Sequence, residues 1–387
     1  MNTKNILVTG GRSPVALHLS RMLHENGHTI YVAESESYHL SKKSNVIQKS
    51  FLVPKPNDNH ADYIQSLIEI CKSCSIDILI PTCEELFHIS KAKVQFQEHQ
   101  ISVFCDDLDK LRLLHNKFAF NQYLKEHDYL YPETHEFTSL DSLKEYLTQT
   151  SYSKLVLKAV YSRFASGVYF ISPNQKLPDI QISEENPWIV QEYIKGTQYC
   201  SYSIAIEGKL MAHTCYPTIY TAGLGANVYF KHVNESKIEK FVERLVKELN
   251  FTGQIAFDFM SDSNGDFYPI ECNPRATSGL HLFEGNKEFC SVFLGEETHG
   301  NVNPTGEKAF KLGLPMLMYG ISEGFLFRQP GSFIKDFIHS KDTIYSSKDK
   351  LPYLYQSVIF FVMVARKLKS GKGLTELTTT DIEWSGK

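Results

Sequence analysis

The sequence predicts a mixed α/β and α+β fold, in which a doubly wound βαβ unit precedes a strand-rich region with two lobes. Two patterns support this prediction. Over the first hundred residues, short apolar runs alternate with helical periods, as in parallel sheets joined by crossover helices. From about residue 150 onward, strand patterns dominate and one strongly amphipathic helix interrupts them. Because 387 residues exceed what one hydrophobic core usually supports, we expect two or three packed domains.

The first unit contains four short apolar runs, which we predict to be buried parallel strands. Between them, apolar residues recur every three or four positions, as in helices that cover a sheet. The turn after the first strand reads Thr-Gly-Gly-Arg-Ser-Pro-Val-Ala at residues 9–16. Ser13 and Ala16 break the three-glycine dinucleotide fingerprint, so NAD(P) binding is not expected, although the following helix N-terminus could hold an anion or help bind substrate. The predicted strands are residues 5–8, 29–32, 76–80 and 102–105.

Composition and charge indicate a soluble globular protein that does not bind nucleic acid. The formal net charge is −4, 42% of the residues are hydrophobic and 22% are charged, so there is no basic excess. The eight cysteines mostly lie in apolar runs, which favours buried thiols in a reducing, cytoplasmic compartment. The longest uncharged stretch, residues 351–365, is shorter than the roughly 20 residues that span a bilayer. We expect a core helix there, and the basic residues that follow leave contact with a membrane surface open.

The middle of the chain mixes helix and strand patterns. Residues 106 to about 150 have helical periodicity, and residues 154–160, 168–172, 188–194 and 200–206 have strand patterns. The strongest amphipathic helix follows, with six apolar residues at spacings of three and four. Residues after about 300 have mixed helical patterns and end in an extended tail, 378–384, that we expect to pack on the body. The six apolar helix residues are Ile238, Phe241, Val242, Leu245, Val246 and Leu249.

A hairpin near residue 264 carries the most informative polar residues. A two-residue turn at Asn264–Gly265 would place Asp258 directly opposite Glu271, with Cβ atoms about 5 Å apart. Like charges in this position destabilise a sheet, so the arrangement calls for a cation. Asn273 lies on the same strand face as Glu271, and such oxygen ligands suit Mg²⁺. The alternative is a solvated acidic hairpin, and four apolar residues expected on a buried opposite face argue against it: Phe257, Phe259, Tyr268 and Ile270.

Basic and hydroxyl-bearing residues follow a predicted strand upstream of this hairpin. Lys158 ends that strand, and the loop after it can offer hydroxyl and backbone N–H groups to phosphate oxygens. A flexible hairpin with an exposed lysine is the alternative for this segment taken alone. The next strand, residues 189–194, contains a polar pair and precedes Gly196, which suits a hinge whose backbone contacts an adenine. The phosphate-loop candidates are Ser162, Arg163, Ser166 and Gly167.

Together these segments resemble the ATP-grasp superfamily. Glu271-Cys-Asn-Pro-Arg275 is similar to the Glu-x-Asn-Pro-Arg signature of that family, and Asp258 occupies the position of its other metal carboxylate. The resemblance covers about residues 1–300 and implies a pre-ATP-grasp domain followed by a two-lobed ATP-grasp domain. The implied boundaries are residues 1–108 for the first domain, 109–190 for the small lobe, 191–300 for the large lobe with the metal site, and 301–387 for an extension packed on the large lobe.

The resemblance also implies roles for individual residues. Lys117 and Lys158 would contact the ATP phosphates, the 162–167 loop would close over them, and Gln198 would lie near the ribose. Gln198 departs from the family pattern, because many members carry an acidic residue at this position. The phosphate loop also has fewer glycines than is usual in the family. The adenine pocket would be lined by Gln191, Glu192 and Ile194.

The implied activity is that of a carboxylate–amine ligase. A substrate carboxylate would attack the γ-phosphate of ATP, and an amine would then displace phosphate from the acylphosphate. The cofactors would be ATP and one or two Mg²⁺ ions, with Mn²⁺ as an alternative ion. Arg275 and Lys158 would be the catalytic residues, with Arg275 stabilising the acylphosphate. The substrate contacts would come from Gly223, Gly225, Lys231, Arg275, Ser278 and Gly279.

Two other functions stay open at this point. An ATP-grasp enzyme could instead use bicarbonate or another phosphoryl acceptor, as carboxylases and carbamoyl-phosphate synthases do, or the chain could bind nucleotide without turnover. No biotin-carrier or glutaminase segment is recognisable, which argues against the first alternative. The complete set of lysines, carboxylates and arginine argues against the second. The expected partners are small-molecule carboxylates and amines, with no nucleic acid and no membrane span, and the sequence leaves a homodimer open.

Overall fold

The computed structural model describes residues 3–161, 167–223, 225–296, 298, 300–370 and 379–386. The first part of the chain forms a parallel sheet with helices on both faces. Ile6 and Val8 pack against the first helix, whereas Leu7 packs against the second on the opposite face. The strands are β1 (Asn5–Thr9), β2 (Thr29–Glu34), β3 (Ile47–Leu52), β4 (Ile78–Ile80) and β5 (Ser102–Val103), and the helices are α1 (Pro14–Glu25), α2 (His60–Ser73), α3 (Glu85–Lys91) and α4 (Lys93–Glu98).

The strand order β3-β2-β1-β4-β5 confirms the predicted doubly wound unit. The sequence prediction missed β3, an edge strand that pairs with β2 and mixes polar with apolar residues. In this topology the strand order reverses between β1 and β4, and a crevice opens there at the carboxyl ends of the strands. Residues 10–13 and 82–85 follow those two strand ends, so the first domain presents these two turns to whatever binds in the crevice.

The small lobe is an antiparallel sheet covered by helices. Its strand order is β6-β9-β7-β8, and Lys158 pairs with Ile189 between the two central strands. Leu143 and Leu147 from one helix pack on Leu155 and Leu157 of the sheet. The elements are α5 (Leu108–His115), α6 (Lys117–Glu126), β6 (Thr134–Phe137), α7 (Leu140–Gln149), β7 (Leu155–Ala159), β8 (Val168–Ile171) and β9 (Trp188–Glu192).

The large lobe is a second antiparallel sheet with order β11-β10-β15-β16. The predicted amphipathic helix is confirmed as α8, whose Ile238, Val242 and Leu245 are fully buried. Phe257 and Phe259 of β15 lie in the same hydrophobic cluster as these helix residues. The elements are β10 (Thr197–Ile206), β11 (Lys209–Pro217), β12 (Thr221–Ala222), β13 (Ala226–Asn227), β14 (Tyr229–Lys231), α8 (Ser236–Glu248), β15 (Gly253–Ser261) and β16 (Phe267–Asn273).

The remaining elements connect the large lobe to the first domain. The strand β17 (Ala309–Lys311) pairs with β14 and with β18 (Lys341–Asp342). The helices are α9 (Lys287–Phe293), α10 (Gly313–Ser322), α11 (Phe325–Arg328), α12 (Pro330–His339) and α13 (Leu351–Ser370).

The helix α13 lies on the surface, and the expected core helix at this position is therefore wrong. It contacts the 3₁₀ turn Leu40–Lys43 of the first domain, whereas Leu354 and Phe361 are exposed. One side of the helix thus has a partner on the body, whereas apolar residues elsewhere on it face solvent. Within the ranges given above, no helix is both long and apolar enough to cross a membrane.

Candidate active site

A cleft of about 700 Å³ lies where the first domain meets the small-lobe and large-lobe sheets. The first domain contributes the turn before α1 and the turn after β4, and the two sheets contribute the opposite walls. Most of the residues predicted from the sequence to bind ligands are brought together here. Those that line the cleft are Lys158, Gln191, Glu192, Ile194, Gln198, Gly225, Asp258, Glu271, Asn273, Arg275 and Ser278.

The hairpin of β15 and β16 places Asp258 opposite Glu271, as predicted. The predicted two-residue turn is wrong, however. Asp262 N–H donates to the Asp266 carbonyl at 3.0 Å, so the loop has three residues, with Gly265 at φ +74°. A three-residue loop alone would shift the pairing by one position. A β-bulge between Asp258 and Phe259 shifts it back, because Ile270 is left without a partner in the ladder.

Because of the bulge, the residues on the buried face of the hairpin differ in part from those predicted. Phe257 and Phe259 are fully buried, as expected, but Pro269 is the β16 residue that pairs with Phe259 on that side. Ile270 lines the cleft, and Tyr268 pairs with Met260, which also lines it. The cleft therefore has an apolar floor beside its acidic residues.

Asp258, Glu271 and Asn273 form a set of oxygen donors on the cleft side of the hairpin. Asn273 pairs with Ala256, two positions along the ladder from the Asp258–Glu271 pair. Among the residues with described positions, no group of three or more His, Cys, Asp or Glu side chains could hold a metal by itself. Two carboxylates and an amide fit an ion that shares its coordination shell with phosphate oxygens, as Mg²⁺ does.

The electrostatics of the carboxylate pair agree with a site for a cation. Burial raises the pKa of Asp258, and the negative charge of Glu271 raises it further. Cys200 lies directly opposite Asp258 on the other neighbouring strand, and its thiol partly offsets the rise in the pKa of Asp258. A negative charge on Asp258 is therefore disfavoured in the absence of a cation, and a divalent cation bound to the pair would remove this penalty.

Two buried lysines approach the carboxylates from the small lobe. Lys158 Nζ donates to Gln191 Oε1 at 2.7 Å, and Gln191 Nε2 in turn donates to Thr134 Oγ1 at 3.1 Å. Burial lowers the pKa of Lys158 to about 8. Lys117 Nζ lies 3.9 Å from Glu271 Oε2 and donates to the Val160 carbonyl at 3.3 Å. Both ammonium groups are thus fixed near the carboxylates of the hairpin.

The predicted adenine residues lie on the small-lobe side of the cleft. Gln191 is buried, its side chain is held by Lys158, and its backbone lies in the ladder between β6 and β7. Phe170 and Tyr193 line the same wall and were not predicted. Of the phosphate-loop candidates, Gly167 lies near the Trp188 ring at φ +71°. The other three, Ser162, Arg163 and Ser166, lie outside the described residues.

Arg275 lies next to the metal-ligand candidates. Its Nη2 donates to Asn273 Oδ1 at 2.9 Å, and its Nε lies 3.7 Å from Glu84 Oε1 in the first domain. An amide oxygen has two lone pairs, so Asn273 can accept from Arg275 and still bind a cation. Glu84 was not singled out from the sequence, because only the folded chain brings the turn after β4 close to β16.

Three predicted substrate residues lie away from the lining of the cleft. Lys231 is exposed on β14, and Gly223 at φ +65° has open space around its Cα. A Cβ on Gly279 would come within 2.4 Å of Tyr202 Cβ, so this glycine permits close packing. The cleft contains other residues that were not predicted as contacts: Arg12, Ser13, Thr82, Cys83, Cys200, Thr277 and Thr379.

Sequence comparison identifies the part of the chain that carries this site. Residues 114–279 match the family profile of the ATP-grasp domain. This segment is an ATP-grasp domain. The resemblance predicted from the Glu271–Arg275 motif is confirmed, and the matched segment contains Lys117, Lys158, Asp258 and the motif. A comparison with curated protein sequences finds no match.

Solved structures show that the ATP-grasp fold extends over most of the chain. N5-carboxyaminoimidazole synthetase from Staphylococcus aureus complexed with ADP is 12% identical, with 84% of this chain and 87% of that chain covered at a TM-score of 0.64. The biotin carboxylase domain dimer of Hydrogenobacter thermophilus 2-oxoglutarate carboxylase, in complex with MgADP, ADP and bicarbonate, is 13% identical, with 78% and 72% covered at 0.58. The L-amino acid ligase from Bacillus licheniformis is 12% identical, with 73% and 70% covered at 0.56. These matches confirm the predicted fold class.

Proposed function

We propose that this protein is an ATP-dependent ligase that activates a substrate carboxylate as an acylphosphate and joins it to an amine, with release of ADP and phosphate. One observation carries the proposal. Lys158, two carboxylates and Arg275 line one cleft of an ATP-grasp domain, and Lys117 lies 3.9 Å from one of these carboxylates. The ADP- and MgADP-bound structures among the similar proteins support nucleotide binding in this fold.

The nucleotide would lie between the two lobes. Its adenine would lie against Gln191, Glu192 and Ile194, its ribose would lie near Gln198, and its phosphates would reach Lys117 and Lys158. Mg²⁺, or Mn²⁺ in its place, would neutralise charge on the phosphate oxygens when held by the side chains of the hairpin. Buried ammonium groups are suited to this task, because fixed charges in a water-poor cleft act strongly on developing phosphate charge.

The proposed reaction has two steps and requires no nucleophile from the protein. A carboxylate oxygen attacks the γ-phosphorus, and the bond to the bridging oxygen breaks as ADP leaves. The amine nitrogen then attacks the acyl carbon, and phosphate leaves with the electrons of the broken C–O bond while the nitrogen loses a proton. In phosphoryl transfer the protein mainly positions reactants and offsets charge. Arg275 fits this role because its forked donors match a phosphate or carboxylate.

The proposal is tested by ADP release from Mg-ATP over pairs of carboxylic acids and amines, with bicarbonate as a separate arm. We expect ADP and phosphate to form when both substrates are present, together with a condensed product that has lost one water. Glu271→Gln should be inactive. Lys231→Ala is the matched control, because Lys231 is exposed and lies outside the cleft lining.

Two results would contradict the proposal. If ADP release depends on bicarbonate and not on a carboxylic acid, the enzyme carboxylates its acceptor instead. If the wild-type protein does not bind Mg-ATP or Mg-ADP at all, the chain does not use nucleotide and the whole assignment fails.

A further inference from the structure

The C-terminal segment, residues 379–386, lies against the first domain beside the cleft. Asn57 holds it there, since its Nδ2 donates to the carbonyls of Thr380 at 2.9 Å and Glu383 at 3.1 Å. Thr379 lines the cleft itself. The segment is therefore close to the candidate active site, although it is far from the ATP-grasp motif in sequence.

Asp381 anchors the segment to Arg12, which lines the first-domain wall of the cleft. The Asp381 carboxylate accepts from Arg12 Nη1 at 2.6 Å and from Nη2 at 2.8 Å. Ser35 Oγ donates to the same carboxylate at 2.6 Å, and Glu34 accepts from the Nε of Arg12 at 3.0 Å. These side chains are shielded from solvent, so the anchor fixes the start of the segment beside the turn that precedes α1.

Trp384 anchors the other end of the segment. Its side chain is 3% exposed and stacks on Phe87, with ring centroids 5.5 Å apart and an angle of 14° between the planes. The edge of His88 meets it at 5.2 Å, and the Arg112 guanidinium lies 5.4 Å from its centroid. A buried tryptophan of this kind holds a segment firmly, because it removes a large apolar area from water.

Glu84 connects this end of the segment to the active site. Its side chain is fully buried, and Oε2 accepts from the Trp384 backbone N–H at 3.1 Å. The other oxygen, Oε1, faces Arg275 Nε at 3.7 Å. His115 lies 4.0 Å from Oε2, and burial lowers the pKa of His115 to about 4, so it does not offset the carboxylate charge at neutral pH. The Glu84 carboxylate is thus held facing the positively charged guanidinium group of Arg275.

We propose that residues 379–384 complete the acceptor half of the active site, which is the part around Arg275 that would bind the substrate carboxylate and the transferred phosphoryl group. In this proposal Glu84 and Trp384 are positioning residues for Arg275. The C-terminal segment orients Glu84 through the backbone N–H of Trp384. Glu84 in turn faces the Nε of Arg275, and the guanidinium group of this arginine extends toward Asn273 and the cleft. The proposal rests on the proposed function, because it assigns Arg275 to the phosphoryl group that is transferred.

The experiment measures two affinities by calorimetry: that of Mg-ADP for the full-length protein, and that of inorganic phosphate for the Mg-ADP-loaded protein. Phosphate is a product of the proposed reaction, so it probes Arg275 without knowledge of the organic substrates. Glu84→Gln keeps an oxygen that can accept from the Trp384 N–H but removes the charge that faces Arg275. Trp384→Ala removes the aromatic anchor.

Two further variants serve as controls. Trp384→Phe keeps a ring on Phe87 and the backbone N–H, and it removes a buried indole Nε1–H that has no hydrogen-bond partner among the described residues. Ser385→Ala changes the exposed neighbouring side chain. We expect Glu84→Gln and Trp384→Ala to weaken phosphate binding about tenfold, as for loss of a charge-assisted contact. Mg-ADP affinity should change by less than about twofold, because the nucleotide residues are separate. Both controls should match the wild type.

Every other outcome contradicts either the proposed function or the positioning role of Glu84 and Trp384. Failure of the wild-type protein to bind Mg-ADP would overturn the proposed function. If it binds Mg-ADP but phosphate binding is undetectable, or is the same in Glu84→Gln as in the wild type, the positioning role fails and the proposed function stands. Equal loss of both affinities would show that the segment only stabilises the fold. If Trp384→Ala does not fold, Glu84→Gln decides the question.

Discussion

Replacing Asp258 with asparagine should stabilise the ligand-free protein and remove its response to Mg-ADP. Asp258 faces Glu271 across the ladder between β15 and β16. Asparagine has nearly the same size and keeps one side-chain oxygen. The substitution therefore removes one negative charge with little change in packing.

The magnitude follows from the pKa of Asp258, which burial and Glu271 raise from the ordinary value of 3.8 to about 6. Because the folded state holds this proton more tightly than the unfolded state, stability falls as the pH rises from about 4 to 6, and the full cost persists above that range. About two pKa units correspond to roughly 3 kcal/mol. Since the Glu271 side chain is 25% exposed, we expect the variant to recover about 2 kcal/mol. For a chain of this length, that is a rise in Tm of about 2–3 °C.

Thermal unfolding at about pH 7.5 and about pH 4, with and without Mg-ADP, checks this prediction. Without ligand, the variant should melt above the wild type at the higher pH, and the difference should shrink at the lower pH. Mg-ADP should raise the Tm of the wild type alone. A variant that melts below the wild type at the higher pH would refute the argument from facing charges. A Mg²⁺-dependent rise in the variant would refute the metal assignment.

Three further predictions concern the basic residues. Burial lowers the pKa of Lys158 to about 8, and only its ammonium form attracts phosphate. The affinity for Mg-ADP should therefore fall above about pH 8 by at most about tenfold per pH unit. Calorimetry of Lys158→Met should show weak binding that does not depend on pH in this way. Arg275→Ala should lower turnover by about 100-fold but Mg-ATP affinity by less than about threefold, and equal losses would contradict a role at the acyl stage. Lys231→Ala should keep both quantities within about twofold, and a large loss would place the substrate near β14.

The sequence contains enough information to predict most of the fold and the charged hairpin and lysine side chains that meet at the cleft. Parallel strands buried on both faces leave continuous apolar runs, so β1, β2 and β4 are visible in the sequence. The edge strand β3 packs less completely and leaves no such run. The pairing of Asp258 with Glu271 was predicted from a two-residue turn. It holds because an extra loop residue and an extra strand residue, Ile270, cancel.

The part of the cleft that comes from the first domain and the C-terminal segment could not be predicted in the same way. Arg12, Glu84 and Trp384 come from the first domain and the C-terminal segment, and each is an ordinary residue in its local sequence. Glu84 meets both Arg275 and Trp384, and Arg12 lines the same cleft, only through long-range packing, which periodicity and motif spacing do not encode. The surface position of α13 was missed for a related reason, since an apolar helix does not reveal from its sequence whether a partner covers each side.

The extra residue in β16 changes which side chains the hairpin presents to a ligand. Because Ile270 has no partner in the ladder, it lines the cleft together with Glu271. Deleting Ile270 would leave Phe259 paired with Pro269 and Asp258 paired with Glu271, so the two acidic side chains would keep their alignment and the cleft would lose one aliphatic side chain. Homologous proteins without this residue should therefore present a more polar hairpin beside the same two carboxylates.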